Sequence, residues 1–343
     1  MRRQKRLKQR VLSGVNRTLK PARVELVPSW ELGLLRTFHD TYAVAAPPET
    51  PTDPDLSGYL AAHADRIQAL RDSYAKLELE TSAWRDDRVA QGVDLNSFRG
   101  DNMFVFQARA TPKFQYVESA RYVRRVDRLG LADRLTEDGS FGATCVAADN
   151  GWHVSRDLLD SILEINFLDE AMGLTSLSRP VILDIGAGYG RLAHRLTAAV
   201  PGVNRYLCTD GVAMSTFTQE FYLGYRGVTT GEVIPLNEVP ALGPKDGISL
   251  AVNIHSFPEM PMSTSGWWIE HVARCEVPFL FLVTDAAAGT TALEADGRRV
   301  GDFTEHLRRH GYELGIKRPK YDDTLIDPLY QLFPADYWLF ERS

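Results

Sequence analysis

Residues 181–192 read VILDIGAGYGRL. Val181 to Ile185 is a short strand-forming run that carries one acid, Asp184. Gly186, Gly188 and Gly190 then fall at alternate positions, and a helix-forming stretch begins. Each glycine costs backbone entropy when it is ordered, so three in this pattern imply a chain that must turn tightly or lie close to a ligand. A strand, a glycine turn and a helix N-terminus, in that order, make a cofactor site.

The neighbouring residues bear on which cofactor. A dinucleotide fold needs G-x-G-x-x-G, and this loop is G-x-G-x-G preceded by an acid. No G-x-x-x-x-G-K-[ST] phosphate loop is present. The next apolar run, RYLCTD (205–210), ends in Asp210, twenty residues after Gly190. A carboxylate there can accept hydrogen bonds from vicinal ribose hydroxyls, a feature shared by nicotinamide and adenosyl cofactors. Asp184 beside the loop does not help to bind a pyrophosphate. It suits a cationic ligand such as a sulfonium with an amino group.

Outward from the loop, β-branched runs at 181–185, 205–210, 232–236, 248–254 and 278–284 alternate with helical stretches, the mark of a parallel sheet covered by helices. At the end, residues 302–321 read as a helix and then a strand. Residues 327–343 give a last strand with no crossover helix before it, which must be antiparallel. Upstream, residues 56 to 175 read as mostly helical. One helix is expected from Leu56 to about Val93 and another from roughly 115 to 136. A third, near 153–174, opens with Ser155 as N-cap and Asp157 in its first turn. VAAPPETPTDPD (44–55), with four prolines, is a linker or surface loop. The expected divisions are a basic arm and linker over 1–53, a helical lid and acceptor-binding domain over 54–176, and a cofactor-binding domain over 177–343.

Composition narrows the function. The 343 residues carry a net charge of −6, so bulk charge does not recruit nucleic acid. No apolar run reaches the roughly 18 residues that a spanning helix needs. Cys145, Cys208 and Cys275 are far apart and form neither a metal spacing nor a disulfide framework, which fits a cytoplasmic protein. The first 25 residues hold nine Lys or Arg before Glu25. This arm has no long apolar core of a signal peptide. It reads as a solvated arm that could touch the inner, anionic face of a membrane or a partner. Nothing in the sequence sets the oligomeric state.

Asp184-Ile185-Gly186-Ala187-Gly188-Tyr189-Gly190 resembles motif I of class I S-adenosylmethionine (SAM)-dependent methyltransferases, and Asp210 sits where their ribose-binding acid sits. The order of elements is also similar to theirs. Four stretches, at 155–168, 182–196, 208–227 and 250–260, together resemble a bacterial sugar O-methyltransferase family found beside natural-product and glycan gene sets. The resemblance runs from about Gly100 to the end of the fifth strand. It implies an α/β, Rossmann-like seven-stranded sheet with the last strand antiparallel and a mainly helical N-terminal domain. It also implies SAM as cofactor, held by Asp184, Gly186, Ala187, Gly188 and Gly190, with Asp210 on the ribose and Gly211 and Val212 flanking the adenine. Asn237, with Glu238, is a candidate for the adenine amino group, and Asn253 for the methionine end through its backbone.

The chemistry is expected beyond the fourth strand, which delivers His255 and Glu259 to the methyl end of the cofactor. An alcohol needs its proton removed during methyl transfer, and histidine is the usual base. Glu259 could orient His255, bind sugar hydroxyls or act as the base itself. Asp285 ends the fifth strand and with Glu259 could hold Mg²⁺, but no metal motif accompanies the pair and the reading proceeds without a metal. Arg156, Tyr222 and Trp267 are the acceptor candidates, since aromatic faces pack on sugar C–H faces while polar groups read hydroxyls. The vocabulary rich in Ala, Arg and Asp resembles that of a GC-rich actinobacterial genome, and methylated cell-envelope or antibiotic sugars are the acceptors this suggests. The alternatives are an NAD-dependent sugar oxidoreductase, disfavoured by the glycine spacing and the antiparallel end, and a non-catalytic SAM-binding regulator. Replacing His255 and Glu259 separates the regulator from an enzyme.

Overall fold

A computed structural model describes residue 56 and residues 58–81, 84–100, 111–285 and 287–343. The basic arm and its expected membrane or partner contact lie outside the described residues.

The central sheet has the expected architecture. Its strands are β3 (Val181–Ile185), β4 (Arg205–Thr209), β5 (Gly231–Val233), β6 (Ile248–Ile254), β7 (Phe279–Asp285), β10 (Tyr312–Pro319) and β11 (Ala335–Arg342). They lie in the order β10-β11-β7-β6-β3-β4-β5. Only β11 runs against the direction of the other six strands, lying between β10 and β7 and antiparallel to both. Two short antiparallel ribbons were not legible in the sequence: β1 (Val146–Ala147) with β2 (His153–Val154), and β8 (Ala292–Leu293) with β9 (Arg299–Val300).

Nine α-helices occur among the described residues. They are α1 (Tyr59–Ala62), α2 (Ala64–Tyr74), α3 (Asp86–Gly92), α4 (Lys113–Val126), α5 (Arg156–Met172), α6 (Arg191–Ala199), α7 (Ala213–Tyr225), α8 (Met262–Arg274) and α9 (Thr304–Arg309). All five residues of β3 are buried because helices cover both faces, which is why VILDI reads as a continuous run. Alternate residues serve opposite faces. Ile182, Tyr206 and Val252 join the core under α4, α5 and α6, whereas Leu183, Leu207 and Ala251 join that under α8.

Three expectations need correction. The single helix over 56–93 is broken. After α2 the chain makes one tight turn, Ala75–Leu77, then Glu78 adopts a left-handed φ of 50°, and the described residues between it and α3 (79–81 and 84–85) are non-helical. Tertiary contacts override helix propensity here: Leu77 and Leu79 pack on the core under α8, and Thr264 donates to the carbonyl of Glu80. The helix expected over 115–136 stops at Val126. Asp127 turns its carboxylate to the N–H of Ala132, and Gly130 is left-handed. The strand expected over 232–236 ends at Val233, because Pro235 has no N–H for a ladder and Leu236–Ala241 forms a 3₁₀ turn. By contrast α5 starts as expected, with Ser155 accepting from the N–H of Leu158, and Gly173 closes it at a φ of 66°.

A buried ionic knot ties the N-terminal half to the sheet half. Arg99 donates to Glu137 at 2.8 Å and to the carbonyl of Ser140 at 3.1 Å. Glu137 also accepts from Arg195 at 3.1 Å and from Ser155. Burial alone would raise the Glu137 carboxyl, but the Arg99 and Arg195 charges outweigh it and hold the group at about 2. Removing one partner of such a group strands a buried charge. Arg99→Met is therefore expected to cost about 3–5 kcal/mol of stability, read from the urea midpoint at pH 7.

Candidate active site

The glycine loop leaves β3 at Ile185 and is pinned to the end of β4. The N–H groups of Gly186 and Ala187 both donate to the Thr209 carbonyl, at 2.9 and 3.1 Å. Gly186, Gly188 and Gly190 have φ of 73°, 60° and 89°, each in the region only glycine enters freely. Their surroundings differ. A Cβ on Gly186 would lie 2.2 Å from Ser256 Oγ, and one on Gly190 would lie 3.1 Å from Leu223 of α7. A Cβ on Gly188 would meet no protein atom within 4 Å. So Gly186 is needed for close approach to the β6 loop, Gly190 for packing the helix, and Gly188 leaves open room. Gly186→Ala is expected to cost at least about 1–3 kcal/mol from the backbone strain alone, with the Ser256 clash added, and thermal melting measures it.

Asp210 closes the other side of the loop. Its carboxylate accepts the N–H of Gly188 at 3.0 Å and of Val212 at 2.9 Å. Burial raises this carboxyl to about 6, with the two backbone donors working against the rise. Asp184 is also buried. It is raised to about 7 by burial, against a 2.8 Å hydrogen bond from the Tyr206 hydroxyl.

A cavity of about 950 Å³ lies beyond the C-terminal ends of β3, β4 and β6. Gly186, Ala187, Gly188, Asp210, Gly211 and Val212 line one part of it, with Asp184. His255, Glu259, Asp285 and Arg156 line the same space. The structure thus brings the expected glycine loop and both expected bases into one cavity.

Six other candidates do not line the cavity, among them Glu238, which is exposed beside Asn237. Asn237 is exposed on the 3₁₀ turn and takes the hydroxyl of Ser73, because the strand meant to aim it inward ends early. Tyr222 is core: its hydroxyl meets His194 Nδ1 at 3.0 Å and its ring packs edge-on to Tyr189. Trp267 points away and stacks on His271, whereas Trp268 lines the cavity. Gly190 serves packing. Asn253 is buried, donates to the Ile185 carbonyl and accepts from the N–H of Phe257, so it braces the loop after β6 from beneath.

His255 stands in a left-handed conformation, φ 64°, with its N–H bonded to the Val283 carbonyl at 2.8 Å. Such strain in a residue lining a cavity is characteristic of functional positions. Burial lowers the imidazole to about 4, and the Arg156 charge adds to this, so the ring is neutral near pH 7. Glu259 is raised by burial, against the hydrogen bond it accepts from Trp84 Nε1 at 2.5 Å. Asp285 shares the cavity with it, but its Oδ1 accepts the N–H groups of Ala287 and Ala288. Among the described residues no group of three or more His, Cys, Asp or Glu side chains could hold a metal ion.

The roof was missed by sequence reading. It consists of the broken segment after α2, with Tyr74, Leu79, Thr81 and Trp84 in the wall. It is pinned to α7 by Asp86 accepting from the N–H of Met214 at 3.0 Å, and by Tyr74 meeting Thr216 at 2.6 Å. On the far side Trp84 holds Glu259, and Ser263 donates to Glu80. No motif marks these residues. Arg191, within VILDIGAGYGRL itself, also lines the cavity and forms a forked pair with Glu164 at 2.9 and 3.0 Å.

No helix among the described residues is long and apolar enough to cross a membrane. The three cysteines are free and buried.

No protein-family model matches the chain, and no curated protein matches it. Among solved structures, a SAM-dependent methyltransferase from Aquifex aeolicus is 14% identical with a TM-score of 0.38, over 51% of this chain and 89% of that one. Magnesium protoporphyrin IX methyltransferase from Synechocystis, with bound SAM, is 14% identical with a TM-score of 0.39, over 68% and 99%. A Streptococcus pneumoniae protein assigned to tRNA (m1A22) methylation is 14% identical with a TM-score of 0.35, over 50% and 69%.

Proposed function

We propose that this protein is a SAM-dependent O-methyltransferase that acts on a sugar hydroxyl. The observation that carries the reading is a single cavity that joins the glycine loop and Asp210 to His255 and Glu259. The residues fit the cofactor. A Cβ on Gly188 or Gly211 would meet no protein atom, so the backbone leaves room where an adenosyl group would pass. Asp210 presents a carboxylate for ribose hydroxyls, and Asp184 and Asp210 give that part of the wall the polarity a sulfonium prefers over a pyrophosphate.

Bound SAM would supply a methyl group made electrophilic by its sulfonium. The chain's own residues supply the rest. Asp184, Asp210 and the loop fix the cofactor's orientation. His255, neutral near pH 7, accepts the proton of the acceptor hydroxyl as that oxygen attacks. Glu259, held by Trp84, orients the acceptor's other hydroxyls. The roof excludes water, the competing nucleophile. Trp84, Trp268 and Phe333 beside Glu259, Thr264 and Asp285 give the mixed aromatic and polar wall that suits a sugar. On this reading residues 54–176 contribute the lid and part of the acceptor wall, and Mg²⁺ plays no part in the proton transfer.

Calorimetric titration with S-adenosylhomocysteine, and with NAD as control, tests the reading. Binding of the first alone, near micromolar or about −8 kcal/mol, is expected. Binding of NAD alone overturns it in favour of an oxidoreductase.

A further inference from the structure

The turn between β10 and β11 brings Phe333 to the cavity wall. This connection, residues 320–334, is anchored by a buried lysine. Lys320 donates from Nζ to the carbonyls of Leu332 and Phe333 at 3.1 and 3.0 Å, and to Asp160 at 2.5 Å. Tyr321 donates to the same Leu332 carbonyl at 2.9 Å. Asp160, on α5, also accepts from Arg156 Nε at 3.2 Å, and the Arg156 guanidinium lies 3.9 Å from the centre of the Phe333 ring.

Two facts set this arrangement apart from ordinary packing. Phe333 holds a φ of 51°, in the left-handed region that disfavours a side chain, as His255 does on the same cavity. Burying an ammonium group is costly, and an apolar side chain would fill the same volume without that cost. What a lysine adds is direction: three donors fix two successive carbonyls and one carboxylate together. The backbone on either side of Phe333 is thereby locked, and Arg156 covers part of its ring. His255 lies near enough to Arg156, Asp160 and Lys320 to feel all three charges, so the platform and the base share one end of the cavity.

We infer that Phe333 is the platform on which the acceptor's pyranose ring stacks, and that Lys320 is a positioning residue that fixes the platform relative to His255 and so selects the hydroxyl that is methylated. The inference rests on the methyltransferase reading above.

Phe333→Gly tests it, because glycine suits the backbone angle and removes only the ring. The probes are methyl α-mannopyranoside and methyl α-rhamnopyranoside, with Phe333→Tyr as the conservative control. Phe333→Gly should stay folded, with relief of the left-handed backbone offsetting part of the ring's packing on the core and on Arg156, and should keep its S-adenosylhomocysteine affinity within about twofold. KM for the pyranoside should rise roughly tenfold, with kcat changed less, and Phe333→Tyr should restore it. Lys320→Met should lose regiochemistry, giving a mixture of methyl ethers by NMR where the wild type gives one. If Lys320→Met does not fold, Phe333→Gly decides. An unchanged KM in Phe333→Gly overturns the platform. So does a wild type that binds S-adenosylhomocysteine yet methylates neither pyranoside, while SAM-dependent methyl transfer itself stands. Failure to bind S-adenosylhomocysteine overturns the parent reading instead.

Discussion

Asp210→Ala should lose on the order of 100-fold in S-adenosylhomocysteine affinity, the largest effect expected of any cofactor-side substitution. The side chain does two things at once. It satisfies the N–H groups of Gly188 and Val212, and it offers its remaining lone pairs to the ribose. Alanine leaves two donors without their acceptor and removes a charged partner from the ligand. Each loss is worth about 1–3 kcal/mol, so together they span roughly 2–6 kcal/mol, which is about 30-fold and upward in affinity. Asp210→Asn keeps the shape and one acceptor, and should lie between the two.

The pH dependence gives a sharper check. Burial raises the Asp210 carboxyl to about 6 from an ordinary value of 3.8. A protonated carboxyl has less accepting capacity, so cofactor affinity should be full above pH 7 and fall as pH drops through about 6. Stability of the ligand-free protein runs the other way. The folded state holds this proton where the unfolded state releases it, so the carboxyl disfavours folding above pH 6, and the penalty fades between pH 6 and 4. The difference between wild type and Asp210→Asn isolates both slopes from the other titrating groups. Affinity that is flat from pH 8 to 5 in the wild type would remove Asp210 from the ribose.

The sheet half was legible because two periodicities and one spacing agree there. Strand runs alternate with helices, the glycines mark a turn that no other residue could make, and a last strand without a crossover has one direction open to it. The roof was not legible, because 56–93 has good helix formers throughout and only its contacts with α7 and α8 break it. The errors at single residues have local causes. Asn237 depended on a strand that Pro235 ends. Trp267 and Trp268 are adjacent, about 100° apart around α8. The buried face of that helix runs Thr264, Trp268, Val272, and a count by fours would have chosen Trp268. Tyr222 follows Asp210 by only twelve residues, but its place on α7 faces the core rather than the strand ends. Phe333 and Lys320 carry no sequence signal at all, since neither the left-handed backbone nor a buried lysine is visible in the residue types.

His255→Asn should lower kcat by roughly 10²–10⁴ while leaving S-adenosylhomocysteine affinity unchanged, because only the proton acceptor is lost. Asparagine is the informative replacement, since it tolerates the left-handed φ of 64° better than alanine does. The imidazole sits at about 4, lowered by burial and then by Arg156, so the base form is present throughout pH 6–8. Wild-type kcat should therefore be flat across that range and fall only as pH drops towards 4. Stability carries the matching signature. The group is depressed from 6.5, so the unfolded state binds the proton first, and the stability it contributes is full above pH 6.5 and lost as pH falls towards 4. That slope should vanish in His255→Asn. If Glu259 is the base, the outcome separates cleanly. Burial raises that carboxyl, so the rate would fall as pH drops through its raised value, and Glu259→Gln rather than His255→Asn would carry the loss. A His255→Asn enzyme with undiminished kcat, and a Glu259→Gln enzyme without activity, would move the proton acceptor to the carboxylate that Trp84 holds.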